Sequence, residues 1–443
     1  MKKRLFPVAL ISLMCLSSCN YPSGDQVTYY AEPIYNSAMV PVDLYNSTIS
    51  LTAYNKKFLD KVSPLFQEIV SSIHIDSDRY NYFNDEKGNR INNLRVINES
   101  YGSNEPIKIS DDLYYLLDLS LQIHELSEGY FNPTMGSLID LWNETIPITP
   151  GYGKVDIVGT EDFNQAFKEM IPYSKEDPLS NYIVLNEKNK TVTFKKYKDI
   201  ENIDISLGGV AKGYGMQKAS EALSKYDAPM MIDGGSSSLS LLNDHPKNEN
   251  GKYKIGIASP YSAVDGSPLF GQKLIYAVNL GKGTTLSTSG DYLHYIYTTD
   301  KECIKDDPVP CKRIKEDLGD GKFRYIRRHH ILNPFKGYSE NYYLVINIHA
   351  PGRAVVLDAL TTTLFNIDVV NDRDTFLRVV NNFEKAFDIE VDFLLEQEIS
   401  FINEDNNEWS NLDIFMSKGM KETVDLNFKP EINVINSETI IEK

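Results

Sequence analysis

The chain has 443 residues, 42% hydrophobic and 24% charged, an ordinary balance for a folded globular protein and long enough for one large domain or two smaller ones. Its formal net charge of −17 argues against a nucleic-acid partner, because nothing would broadly neutralise a phosphate backbone, and it gives no general attraction to anionic lipid. Attachment to a membrane therefore has to come from a local feature.

The N-terminus offers one. Lys2, Lys3 and Arg4 precede an apolar run from Leu5 to Leu16, too short to span a bilayer and suited to an export signal. The run ends in Leu16-Ser17-Ser18-Cys19, which looks like a bacterial lipobox; the alternative is an ordinary cleaved signal with an incidental cysteine. The expectation is a signal peptide over 1–18, lipidation at Cys19 and a lipid-anchored tether over 19–47, with the protein exported and held on a bacterial membrane outside the cytoplasm. With Cys15 removed and Cys19 acylated, Cys303 and Cys311 remain. A disulfide between them would close a short loop, worth about 2–3 kcal/mol, whereas two lone cysteines are too few for structural zinc.

Past the tether, Phe58, Leu59, Val62, Leu65, Phe66, Ile69 and Val70 recur at helical spacing and predict an amphipathic helix over 54–75. A polar stretch rich in Asn and Asp follows, then a second helix over 111–128 with Ser110 as its cap. Residues 183–185 and 191–194 read as a hairpin, 211–223 as a helix, and 253–257, 274–279 and 343–348 as strands. The charged stretch 303–322 reads as a surface insertion. Further on, 357–364 reads as a helix, 376–387 as another, and 399–402 as a strand; 423–443 reads as a C-terminal tail without periodicity. Short strands among a few long helices predict an α+β (mixed α/β) domain over 48–422, sheets flanked by helices and not a Rossmann unit.

Within 357–364, Asp358 and Thr362 stand at i and i+4, so a carboxylate and a hydroxyl share one helix face. Hard oxygen donors of this kind suit Mg2+, which binds through one or two carboxylates plus substrate phosphates. The competing reading is local: a capping Asp and a Thr bonded back to a main-chain carbonyl. Upstream lie Gly129-Tyr130-Phe131-Asn132-Pro133-Thr134-Met135-Gly136, then Asp204-Ile205-Ser206-Leu207-Gly208-Gly209-Val210-Ala211-Lys212-Gly213-Tyr214-Gly215, then Asp233-Gly234-Gly235-Ser236-Ser237-Ser238. Ser289-Gly290-Asp291-Tyr292 and His329-His330-Ile331-Leu332-Asn333-Pro334 complete the set.

In this order and spacing the motifs resemble the ApbE family of FAD:protein FMN transferases. The resemblance implies Mg2+-dependent transfer of FMN from FAD to a Ser or Thr hydroxyl of an acceptor flavoprotein, through a phosphoester bond and with release of AMP. It implies Asp358 and Thr362 as side-chain metal ligands, the Gly209 carbonyl as a third, and FAD contacts from Gly208, Gly209, Lys212, Gly234, Gly235, Asp291, Tyr292 and His330. Lys212 reads equally well as a solvated helix lysine, Gly234 and Gly235 as a tight turn, and Asp291 as a residue pinning its own loop. His330 is the candidate for taking the acceptor's proton, with His329 the weaker neighbour. Three positions depart from the family pattern: Asn333 replaces the Asp of His-x-x-Asp-Pro, Asn132 stands where Asp is common and Ser137 where Pro is. The alternatives are a lipoprotein that holds FAD without transferring it and an FAD pyrophosphatase.

Overall fold

The structure, a computed structural model, describes residues 26–147, 152–235, 237–258, 274–292, 294–304, 308–402, 408–425 and 435–443. The expected signal peptide and Cys19 lie outside the described residues, as do Ser236 and Leu293.

An eleven-stranded sheet forms the spine. Its main path runs Val27–Tyr30, Ile49–Ala53, Met230–Gly234, Ser238–Leu242, Thr284–Gly290, Val345–Pro351, Asp392–Ile402, Lys322–Tyr325 and Lys315–Gly319. Glu408–Ser417 also pairs Asp392–Ile402, and Ile435–Ile441 adds alongside it in parallel. Every pairing along the main path is antiparallel, so the sheet has no Rossmann character, as the composition of elements implied.

Both faces of this sheet are covered, which is why several strands are apolar at successive positions instead of alternating. Met230 and Ile232 enter one core with Leu59, Val62 and Phe66 of the Lys56–Ser77 helix and Met216, Ala219 and Leu223 of the Ala211–Leu223 helix. Met231 points the other way, into a core shared with Tyr253, Ile255 and Tyr276 of a smaller sheet made by Tyr253–Ala258, Leu274–Leu280 and Val424–Asp425. The Ala354–Leu364 and Arg373–Phe387 helices lie on the first face, over Ile346, Ile348, Phe393 and Leu395.

The predicted helices are present at Lys56–Ser77, Asp111–Leu126, Ala211–Leu223 and Arg373–Phe387, and the hairpin at Ile183–Asn186 and Thr191–Phe194. Ser110 caps its helix by accepting from the Leu113 N–H at 3.0 Å. Both ends of the chain differ from the expectation. From Val27 onward the supposed tether is part of the fold, because Val27–Tyr30 hydrogen-bonds along Ile49–Ala53 and Leu44 is buried. The supposed tail likewise supplies Val424–Asp425 to the small sheet and Ile435–Ile441 to the large one, satisfying backbone groups that an open edge would leave to water. The insertion is a surface feature at its tip, where Lys315–Gly319 is exposed, yet its return strand Lys322–Tyr325 joins the sheet. Cys303 and Cys311 are bridged, with their Cα atoms 5.2 Å apart.

Candidate active site

The site is built where two helices cross too closely for a side chain. A Cβ on Gly213 would stand 2.8 Å from the Ala354 carbonyl oxygen and 2.9 Å from the Val355 Cα, so the absence of one lets the Ala211–Leu223 helix touch the Ala354–Leu364 helix. That contact brings the Gly213 N–H, in the first turn of its helix, to 3.0 Å from Asp358 Oδ2, which accepts it. Val210, at the N-cap position of the same helix, gives no side-chain cap. Asp358 therefore caps a helix other than its own, and its charge faces the positive end of that helix.

Asp358 is only 5% exposed. Burial raises its carboxyl above the ordinary range, while the Lys212 ammonium and the Gly213 N–H pull it down. Its second oxygen, Oδ1, accepts no hydrogen bond among the described residues. The half-buried Thr362 donates its hydroxyl to the Asp358 main-chain carbonyl at 3.1 Å, a bond that uses its proton and not the lone pairs of its oxygen. Capping and back-bonding, first weighed as rivals to a ligand role, are thus present and compatible with one. Gly209 lies beside this pair: a Cβ there would meet Thr362 Cγ2 at 3.8 Å and Phe131 Cε2 at 3.0 Å, so the Gly129–Gly136 motif walls the same spot. Among the described residues no group of three or more His, Cys, Asp and Glu could hold a metal. A cation here would rely on one carboxylate, a hydroxyl, a carbonyl and substrate oxygens, a donor set that fits Mg2+ better than zinc.

The other motifs are tied to this crossing through the Thr284–Gly290 strand. Ser289 donates to Thr361 Oγ1 at 2.9 Å, and Thr361 in turn donates to the Asp358 carbonyl at 2.9 Å. The Ser237 carbonyl, closing the Gly234-Gly235 turn, accepts from the Thr288 N–H at 2.8 Å and from Ser287 Oγ at 3.1 Å. Gly235 has φ +69°, and a Cβ there would fall 1.7 Å from Ser47 Oγ, so a packing reason for glycine exists independently of any ligand. Gly208 is exposed, with only Ser206 Oγ near the place of its missing Cβ.

His330 is exposed at the surface of the site although protein surrounds it. That surrounding protein, the neighbouring His294 and the Lys212 ammonium all push its imidazole below the ordinary histidine range, with solvent blunting the first of these. The His330 and His294 rings lie 5.7 Å apart, tilted by 40°. Lys212 acts on both Asp358 and His330, so the structure brings these three together with Thr362 and Gly209. His329 is fully buried: its Nε2–H donates to the Glu340 carbonyl at 2.8 Å and its Nδ1 accepts from the Ile331 N–H at 3.2 Å, which makes it a neutral core histidine.

One expected FAD contact needs correction, and a second is placed. Asp291 has no exposed surface and faces the Arg327 guanidinium at 2.9 Å, so it pins its loop and does not reach a ligand. The Tyr292 ring lies along Gly290, 2.7 Å from where a Cβ would be, and packs on the second core, a wall position. Asn333 does not serve His330 either; its amide donates to Glu340 Oε1 at 2.6 Å. Sequence reasoning missed His294 and Arg327. No motif marks the first, while the second could have been sought as the counter-charge that a buried aspartate requires.

The ApbE family model matches residues 45–385 of the chain. The FAD:protein FMN transferase of Haemophilus influenzae is 21% identical over 318 residues, covering 71% of this chain and 74% of that protein. The protein of the same description from Vibrio cholerae is 23% identical over 296 residues, 65% of this chain and 72% of that protein. Among solved structures, the ApbE protein of Thermotoga maritima aligns with a TM-score of 0.54 at 20% identity, covering 86% of this chain and 96% of that one. The flavin transferase ApbE of Vibrio cholerae aligns with a TM-score of 0.52 at 17% identity, covering 90% and 99%.

Proposed function

This chain belongs to the ApbE family, and from that membership we propose that it transfers FMN from FAD to a Ser or Thr hydroxyl of an acceptor flavoprotein, releasing AMP. The observation that carries the reading is the meeting of Lys212, Asp358, Thr362 and His330, drawn from three distant segments around one helix crossing.

In the reaction the acceptor oxygen forms a bond to the FMN-side phosphorus of the pyrophosphate, and the bond from that phosphorus to the AMP phosphate oxygen breaks. His330, disposed to be neutral near pH 7, receives the hydroxyl proton on a ring nitrogen. Lys212 offsets phosphate charge. The glycine-lined turn at Gly208 and Gly209 allows the dinucleotide to approach the backbone. Asp358, Thr362 and the Gly209 carbonyl would hold Mg2+, whose contribution when bound is neutralisation of the pyrophosphate and of the leaving AMP. The protein's own part is mainly positioning, as expected for phosphoryl chemistry.

The Leu16-Ser17-Ser18-Cys19 sequence supports export and lipid anchoring at Cys19, with extracytoplasmic flavoproteins as acceptors. Incubation with FAD, Mg2+ and a candidate acceptor, followed by in-gel flavin fluorescence, intact mass and AMP release, tests the activity. A fluorescent acceptor carrying one added FMN is expected; FAD binding with neither label nor AMP would leave only a flavin-holding protein, and AMP without label would indicate a pyrophosphatase. Retention of a Cys19→Ser chain in the membrane fraction would remove the anchoring reading.

A further inference from the structure

The helix that carries Asp358 and Thr362 ends beside a side chain that the chemistry above does not use. Asn366 stands four residues beyond Thr362 and eight beyond Asp358, so it continues their stripe past the last turn of Ala354–Leu364. It is 2% exposed. Its side-chain N–H groups donate to two main-chain carbonyls, that of Leu332 at 3.2 Å and that of Thr362 at 3.3 Å. Its Oδ1 is buried and has no partner among the described residues. A buried amide oxygen left unpaired is a cost in stability, so what this side chain contributes lies in the two bonds it donates.

One of those bonds stays within the helix, and the other leaves it for the segment that bears the candidate base. Leu332 is two residues past His330. On the other side of His330, the His329 ring donates to the Glu340 carbonyl and lies edge-on to Phe365, the residue before Asn366, with the ring centres 5.3 Å apart. Ile331 is buried in the same core as Leu360, Leu364 and Phe365, and its N–H is taken by His329 Nδ1. Phe365 and Asn366 therefore grip the chain on both sides of His330, one by packing and one by a hydrogen bond. His330 itself is exposed, so the buried residues on either side set where it stands relative to Asp358 and Thr362.

We propose that Asn366 is a positioning residue for the transfer: its amide fixes the His330 segment to the helix bearing Asp358 and Thr362, and so sets the spacing between the proton acceptor and the pyrophosphate site. This rests on the reading of His330 as the base. The geometric demand is strict, because the attacking oxygen, the group that takes its proton and the phosphorus must share one arrangement, and a misplacement of about 1 Å can cost about 100-fold in rate.

The test is Asn366→Leu in the full chain, which keeps the branch at Cγ and removes both donors. Its readouts are FAD affinity by flavin fluorescence, transfer to an acceptor that the unmodified chain labels, and amide hydrogen exchange of residues 329–334. Transfer at saturating FAD should fall about 10–100-fold with FAD affinity held within about twofold, and exchange of the segment should quicken. The same substitution made in a His330→Ala chain should cost less than about threefold, because a residue that acts through His330 has nothing left to place. Asn366→Ala serves if the leucine is not accommodated, and it should show the same pattern. An unchanged rate would overturn the proposal, as would a loss of FAD affinity in step with the rate or an equal further loss in the His330→Ala chain. If His330→Ala alone transfers FMN as well as the unmodified chain, it is the base assignment that fails, and hydrogen exchange in Asn366→Leu still reports whether the amide holds the segment.

Discussion

The Asn333 side-chain N–H donates to Glu340 Oε1 at 2.6 Å inside the turn that follows His330. Glu340 is buried, and the same oxygen meets Lys336 Nζ at 2.8 Å. Asn333 Oδ1 accepts from the Phe335 N–H, and its main chain bonds Tyr338 and Gly337, so the residue closes the turn on itself. Asn in place of the Asp of the His-x-x-Asp-Pro pattern is therefore matched to a neighbour that needs a donor.

Restoring the family residue should be harmful in this chain. Asn333→Asp would set two carboxylates at hydrogen-bond distance in a buried turn, costing about 1–3 kcal/mol at neutral pH. A shared proton would relieve the repulsion, so the deficit in Tm should shrink as pH falls toward about 5. Thermal unfolding at the two pH values measures it, and an equal or higher Tm at neutral pH would contradict the account.

Gly213→Ala tests the helix crossing. The added methyl meets the Ala354 carbonyl, the Asp358 Cβ and the Val355 Cα all within 3 Å, two of them backbone atoms that cannot swing aside. Overpacking of this kind costs about 1–3 kcal/mol. Because relief requires the helices to part, Asp358 moves with them. Transfer activity should fall further than the drop in Tm alone would explain, and a parallel Gly208→Ala, in open space, should leave Tm nearly unchanged.

Asp358→Asn separates the capping role of that residue from its charge. The amide oxygen can still accept from Gly213, and loss of a charge that burial disfavours should leave Tm equal or slightly higher. Transfer should nevertheless fall by about 100-fold or more, a loss typical of removing a charge that stabilises a transition state, and more Mg2+ should be needed for half-maximal rate. Chelation of Mg2+ should abolish transfer by the unmodified chain. A variant of ordinary rate and ordinary Mg2+ dependence would return Asp358 to a purely structural role.

The sequence was most readable where structure is local. The Lys56–Ser77 and Asp111–Leu126 helices carry apolar residues at helical spacing, and Ser110 marks its own N-cap. It was least readable where pairing is distant: nothing in Ile49–Ala53 names Met230–Gly234 as its neighbour, and strands buried on both faces lose the alternation that identifies them. Val27–Tyr30 was lost within a tether because it is a short edge strand with a polar look. The site followed the same division. Asp358 and Thr362 meet through helix periodicity and could be found in one run of residues, whereas the roles of Asp291 and Asn333 depend on Arg327 and Glu340, partners that only the folded chain supplies.

Glu396 gives the pH dependence a direction that can be worked out in advance. It is fully buried in the Asp392–Ile402 strand; Tyr276 donates its hydroxyl to Oε1 at 2.5 Å, and Oε2 has no partner among the described residues. Burial pushes the carboxyl up to about 8, against a smaller downward pull from the Tyr276 hydroxyl. In the unfolded chain the group titrates near its ordinary value of about 4.3. Between these limits the folded protein keeps a proton that the unfolded chain releases, so stability falls as pH rises through the window, by at most about 1.4 kcal/mol per unit. Glu396→Gln is neutral throughout and accepts the same hydrogen bond. Its Tm should gain steadily on that of the unmodified chain from about pH 5 to about pH 8 and level off above it, and parallel Tm curves across that range would show that this carboxyl is already ionised in the fold.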